Sequence, residues 1–196
     1  MNPKTISEET FEKFCEMNNL PYKKIPECNN KTPDYKVTIN SKNIIFEIKQ
    51  IDSDNGFTEK THSRTVGKRV REKIDEARKQ FKESSKNNLP SVLLIYNNLD
   101  PMQKFGTEVH DFITAMYGEM TIALHPKTLT IIDLFHGKNQ SLRYDKNTSF
   151  SGVGHLYTTS KAPAVLIYEN VFSKNKLDYQ SLPNCIDVKR VELTNE

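Results

Sequence analysis

No run of about 18 apolar residues occurs anywhere in the chain, which excludes a helix spanning a membrane. The first residues, MNPKTISEETFEKF, lack the basic-then-apolar order of a secretory signal, so a cytoplasmic protein is expected. Cysteine is scarce: Cys15, Cys28 and Cys185 are odd in number and widely spaced, with no CxxC and no Cys/His ligand pattern. That excludes a disulfide framework and a zinc site, and leaves free thiols packed in or near a core. His62, His110, His125, His136 and His155 are scattered without ligand spacing. Gly-x-Ser-x-Gly is missing, and GVGH at Gly152–His155 has neither the Lys-Ser/Thr of a phosphate loop nor GxGxxG spacing. Internal repeats and low-complexity tracts are absent.

What remains is a globular composition. The chain has 196 residues, 36% hydrophobic and 27% charged, enough for a sizeable core in one domain, 1–196. Net charge is only +3, but it is uneven: Lys60 to Lys86 carries ten Lys/Arg against four Asp/Glu. Such asymmetry marks a surface suited to a polyanion.

The pattern of elements predicts an α/β fold. Ser7 reads as the N-cap of a first helix, with Ile6 and Phe11 as a staple and Phe11, Phe14 and Cys15 on one face; it should end near Asn18-Asn19. Tyr35, Val37 and Ile39, then Ile44, Phe46 and Ile48, alternate as two strands of a hairpin around NSKN. A polar loop, DSDNGFTEKTHSR, separates it from a second helix over 65–82 with Val66, Val70, Ile74, Ala77 and Phe81 as its apolar stripe. SVLLIYNN reads as a strand buried on both faces. A further helix over 106–118, strands at MTIALH, LTIIDLFHG and AVLIYENVF, a loop-rich segment between the last two and a polar tail, VKRVELTNE, complete the pattern. The expected result is a mixed sheet with helices on both faces.

The hairpin carries the chemistry. A turn centred between Ser41 and Lys42 would set Lys36 opposite Glu47 and Asp34 opposite Lys49, with Asp34, Glu47 and Lys49 on one face. Two carboxylates and an ammonium converging there suit Mg²⁺, which takes one or two protein carboxylates, and a lysine able to orient an attacking water. The competing account is a pair of cross-strand salt bridges, Asp34–Lys49 and Lys36–Glu47, on a solvated face. The apolar density of NIIFEIK argues against solvation, because buried charge is costly unless employed.

PDYKVTINSKNIIFEIKQ, with Pro33-Asp34 followed by Glu47-Ile48-Lys49 across a short hairpin, resembles the signature of the PD-(D/E)XK phosphodiesterase superfamily. The resemblance covers about residues 6–97 and includes the preceding acidic helix, the following helix and the SVLLIY strand, the αβββαβ order of that family less one strand. It implies a restriction-endonuclease-like core, with 98–196 as an additional C-terminal α/β extension that resembles nothing we can name. It also implies that Asp34, Glu47 and the Ile48 carbonyl hold Mg²⁺ or Mn²⁺, that Lys49 positions the water, and that a phosphodiester is cut to leave a 5′-phosphate. Such proteins often add a glutamate from the first helix. Glu8, Glu9, Glu12 and Glu16 are candidates; Glu12, beside Phe11 and beyond the first turn, is preferred, and an exposed helix carboxylate is its alternative. Gln50 is given a role only weakly.

Arg64, Lys68, Arg69 and Arg71 cluster at the start of the second helix, where free amides also attract phosphate, and are the expected nucleic-acid contacts. A solvated face with pairs such as Asp75–Lys79 is the alternative. The expectation is therefore a Mg-dependent endonuclease, with DNA preferred to RNA as its partner and with specificity drawn from the C-terminal half, a partner or a homodimer. The alternatives are a non-catalytic nucleic-acid-binding or assembly protein on the same fold, an RNA-directed nuclease, or an unrelated α/β scaffold.

Overall fold

The structure is a computed structural model that describes residues 3–26, 32–52, 64–86 and 88–192, without the side chains of 82–86. The expectations for Cys28, His62 and most of the 52–64 loop lie outside the described residues. Among the described residues no helix is long and apolar enough to cross a membrane.

The chain runs α1 (Ile6–Met17), β1 (Tyr22–Lys24), β2 (Tyr35–Ile39), β3 (Lys42–Ile51), α2 (Lys68–Lys86), β4 (Ser91–Asn97), α3 (Val109–Tyr117), β5 (Met120–Leu124), β6 (Ile131–His136), β7 (Gly152–Thr158), β8 (Pro163–Glu169) and β9 (Ile186–Lys189). Seven strands form one mixed sheet in the order β1-β2-β3-β4-β7-β8-β9, and β5 and β6 form a separate two-stranded sheet. β3, β4 and β7 are parallel neighbours at its centre; β1, β2 and β3 form an antiparallel meander at one edge. The protein is thus α/β, and the chain beyond Asn97 completes the sheet that the first half begins.

α1 covers one face of the sheet. Its Phe11 packs on Tyr35 and Phe46 with ring centroids 5.1 and 5.2 Å apart. α2 and α3 cover the other, where Val70, Ile74, Ala77, Phe81, Phe112 and Met116 are fully buried against β4 and β7. β4 is buried at every residue because it lies between both layers, as its continuous apolar run requires.

Three local readings change. The N-cap of α1 is Thr5, not Ser7: Thr5-Ile6-Ser7-Glu8 closes a capping box, whereas Ser7 has Thr10 where the reciprocal Glu must stand. α2 starts three residues later than its periodicity predicts, after Gly67 at φ +72, and Val66 is exposed rather than part of the stripe. Gly67 also lies so close to α3 that a Cβ would sit 2.9 Å from the Ala115 amide nitrogen. The third change is in the hairpin. Tyr35 pairs with Phe46 and Ile39 with Lys42, so the two-residue loop is Asn40-Ser41 rather than Ser41-Lys42 and the pairing register shifts by two. Both loop residues have positive φ, 45 and 64, the primed turn that matches strand twist. Ser41 is the costlier of the two, because Asn tolerates this region and Ser does not. Ser41→Gly is expected to raise stability by about 0.5–1 kcal/mol in urea unfolding.

Three strands are not legible in the sequence. β1 is only Tyr-Lys-Lys, too short for a pattern, and is specified by pairing with β2. β9 lies partly in what reads as a polar tail. β7 falls in the loop-rich segment because its glycines depress strand propensity. Gly154 is there for space: a Cβ would stand 2.6 Å from the Leu166 carbonyl oxygen.

Candidate active site

The shifted register improves the site. Shifting by two residues leaves every side chain on its predicted face. It moves Asp34, immediately before β2, from a place opposite Lys49 to one opposite Glu47. Asp34 is fixed there by its Oδ2, which accepts the Ile48 N–H at 2.8 Å, and by its carbonyl, which accepts the Ile25 N–H at 2.8 Å. Neither cross-strand salt bridge forms, since Lys36 now faces Ile45. Lys49 instead reaches along its own strand to Glu47, Nζ to Oε1 2.7 Å.

Glu47 is an acid held almost wholly out of water. Its side chain is 2% exposed. Oε1 has Lys49, but Oε2 is buried without a hydrogen-bond partner among the described residues. Burial, followed by the Asp34 charge, pushes its carboxyl up to about 7, and Lys49 only partly opposes them. Asp34 is raised as well, chiefly by burial and also by Glu8, against the Ile48 N–H and Lys49. Two buried carboxylates, one raising the other, with one oxygen unsatisfied, form a site with unused capacity for a cation.

α1 contributes through its N-terminus. The Ser7 N–H donates to Gln50 Oε1 at 2.9 Å, so Gln50, beside the motif, ties the helix to β3. Glu12 does not face the hairpin carboxylates: its Oε1 accepts the Tyr35 hydroxyl at 2.9 Å and its Oε2 meets Lys4 Nζ at 2.6 Å. Glu8 is the helix carboxylate whose charge reaches Asp34. Burial raises the Glu8 carboxyl, but Lys24 Nζ at 2.6 Å and the Thr5 amide outweigh it and hold it below the usual range. Lys24, on β1, was invisible as a site residue until that strand was paired; it also acts on Asp34. Asp34, Glu47, Lys49, Glu8 and Lys24 therefore share one electrostatic neighbourhood.

The basic cluster is partly consumed by the fold. Arg64 Nη1 meets Asp111 Oδ2 at 2.8 Å and Nη2 meets Glu108 Oε2 at 3.3 Å, with the guanidinium over the Phe105 ring. Arg71 donates from Nε to the Asn139 carbonyl at 3.0 Å and is 19% exposed. Arg69 lies half-buried near Gly106. Lys68 is exposed, 4.0 Å from Glu72. At the start of α2 the Gly67 N–H is already taken, donating to Asp111 Oδ1 at 2.9 Å, and the Lys68 N–H donates to the Thr65 carbonyl. Glu108, His110 and Asp111 bring ligand-type atoms within 4.8 Å of one another, a group that could hold a metal ion. The Arg64 guanidinium already occupies it, and sequence spacing gave no sign of either. Asp111 is 1% exposed, so Arg64→Ala removes its counter-charge, leaves it only the Gly67 and Glu108 N–H donors, and is expected to cost about 3 kcal/mol, read as a lower urea midpoint.

Comparison with protein-family models, with curated proteins and with solved structures returns no match.

Proposed function

We propose that the chain is a divalent-metal-dependent nuclease that hydrolyses phosphodiester bonds, with DNA the expected substrate. The observation that carries this reading is Glu47 Oε2, a buried carboxylate oxygen with no partner, on a side chain opposite Asp34 and next to Lys49. A purely structural ion pair at such depth satisfies both oxygens, because an orphaned one costs the full desolvation penalty. The order α1, β1, β2, β3, α2, β4 supports the same reading: β1 supplies the one strand missing from the αβββαβ pattern of the PD-(D/E)XK superfamily that the hairpin resembles.

The donor set fits a hard cation, since two carboxylates with one unpaired oxygen suit Mg²⁺ or Mn²⁺. Asp34 and Glu47 would hold it, and when bound it supplies Lewis acidity at the phosphate and a more acidic water. The remaining work belongs to the chain. Lys49 Nζ, already held at Glu47, donates to the attacking water or to a phosphate oxygen as negative charge grows there. The Ile48 N–H keeps Asp34 in place, and Gln50 keeps α1 and Glu8 beside it. The water oxygen bonds to phosphorus, the bond to the 3′ oxygen breaks, and that oxygen takes a proton, leaving a 5′-phosphate.

The test is cleavage of plasmid, single-stranded DNA and RNA with Mg²⁺, Mn²⁺ or chelator. Metal-dependent nicking or linearisation of DNA is expected. Metal-independent cutting, or a metal that neither supports cleavage nor raises the melting temperature, would be incompatible with this site.

A further inference from the structure

The β5–β6 hairpin is the least explained part of the molecule. It is a two-stranded sheet of its own, and among the described residues no other strand pairs with it. A lone hairpin is marginal in water unless another layer covers an apolar face. Here one face is apolar and bare. Ile122 lies opposite Leu134 and Leu124 opposite Ile131, and Met120, opposite His136, is on the same face. A register shift after Ala123 places Ile131 there; a regular strand would point Ile131 and Leu134 to opposite sides. The irregularity gathers the apolar side chains instead of dispersing them, and Ile132 adjoins it.

Those residues are 49–67% exposed. At ~200 Å² for a large apolar side chain they present roughly 700 Å², above the ~300–600 Å² of the largest patch on an ordinary monomer. The figure is close to the ~800 Å² that each partner contributes to a standard interface.

We infer that this face is the contact between two copies of the chain, related by a two-fold axis. The area matches what a stable dimer needs from each side. The face carries no Asp, Glu, Lys or Arg, and His136 at its end is its one ionisable side chain, so the face meets its own copy with little like-charge repulsion, although the chain carries a net +3. A lipid surface fits less well: the face holds no Lys, Arg, Trp or Tyr to anchor in headgroups, and Lys127, at the turn, is the hairpin's one Lys or Arg. The inference is independent of the proposed nuclease activity.

The test is sedimentation equilibrium of the full chain from about 1 to 100 µM, the range in which a modest interface declares itself. The wild type is expected to dimerise. Ile122→Lys with Leu134→Lys should weaken the dimer at least 100-fold and leave the melting temperature unchanged at concentrations low enough for the wild type to be monomeric, since both side chains face solvent in the monomer. Tyr144→Lys, at a position 83% exposed outside the hairpin, should leave the dimer intact. A wild type that stays monomeric throughout overturns the inference, and so does a double variant that dimerises as tightly. Co-sedimentation of a monomeric wild type with anionic phosphatidylserine vesicles would assign the face to lipid instead.

Discussion

Asp34→Asn and Lys49→Gln are each expected to lower metal-dependent DNA cleavage by at least ~10³-fold, for different reasons. Asp34→Asn keeps an oxygen to accept the Ile48 N–H but removes one of the two charges that would hold the cation. Its loss should therefore appear in binding as well: the rise in melting temperature on adding Mn²⁺ disappears. Lys49→Gln leaves both carboxylates and removes the ammonium that opposes the raised carboxyl of Glu47. The metal-induced stabilisation should survive while cleavage is lost. Circular dichroism separates either effect from unfolding. Equal cleavage by both variants and wild type would move the activity away from the hairpin and end the assignment. Loss of cleavage with an identical metal response in both would mean that Asp34 is not a ligand.

In the metal-free protein, with chelator present, stability should change little between about pH 4.5 and 6.5 because two large opposing terms offset each other. Glu47 has a folded value of about 7, above its unfolded 4.5. The native state then holds a proton that the unfolded state has released, so this stabilisation is present below pH 4.5 and is lost as pH rises through 7. Asp34, also raised, acts with the same sign. His155 runs the other way. It is 8% exposed on β7, beside the Phe112 and Tyr157 rings, with Nε2 unpartnered, and burial lowers its value from 6.5 to about 4. There the unfolded state binds the extra proton, so stability falls as pH drops from 6.5 towards 4. Each amounts to about 3 kcal/mol over its window. Single variants should expose the two slopes. Glu47→Gln should leave a protein that weakens on acidification, and His155→Leu one that strengthens on acidification from pH 7 to 4.5, both read as urea midpoints across the range. Identical profiles for the wild type and both variants would show that neither group is perturbed.

Much of the fold could be read from the sequence where spacing alone decides the outcome. Val70, Ile74, Ala77 and Phe81 recur at helical steps and are buried on α2. Tyr35, Val37, Ile39, Ile44, Phe46 and Ile48 alternate, and all are buried on the α1 side of the hairpin. The run SVLLIY has no polar side to turn outwards, and β4 has no solvent face. The separation of Glu47 and Lys49 from the apolar set follows from the period of two, and it survives the corrected register because that correction is itself two residues.

The rest depends on which segments meet. Whether the two-residue loop falls at Asn40-Ser41 or at Ser41-Lys42 is set by backbone conformation at Asn40 and Ser41, and only the observed register shows Asp34 opposite Glu47. The choice between Glu8 and Glu12 turns on where Tyr35, Lys4 and Lys24 lie around α1, and helical spacing cannot supply those neighbours. Arg64 reads as a free cation because its partners Glu108 and Asp111 come from an element more than forty residues away. The sequence by itself determined the alternation of faces and the residue types of the site, because these are properties of a strand or helix taken alone. Tertiary structure alone decided which carboxylates stand together, which oxygen is left unsatisfied and which cations are consumed, because burial and charge pairing are set by contacts between distant segments.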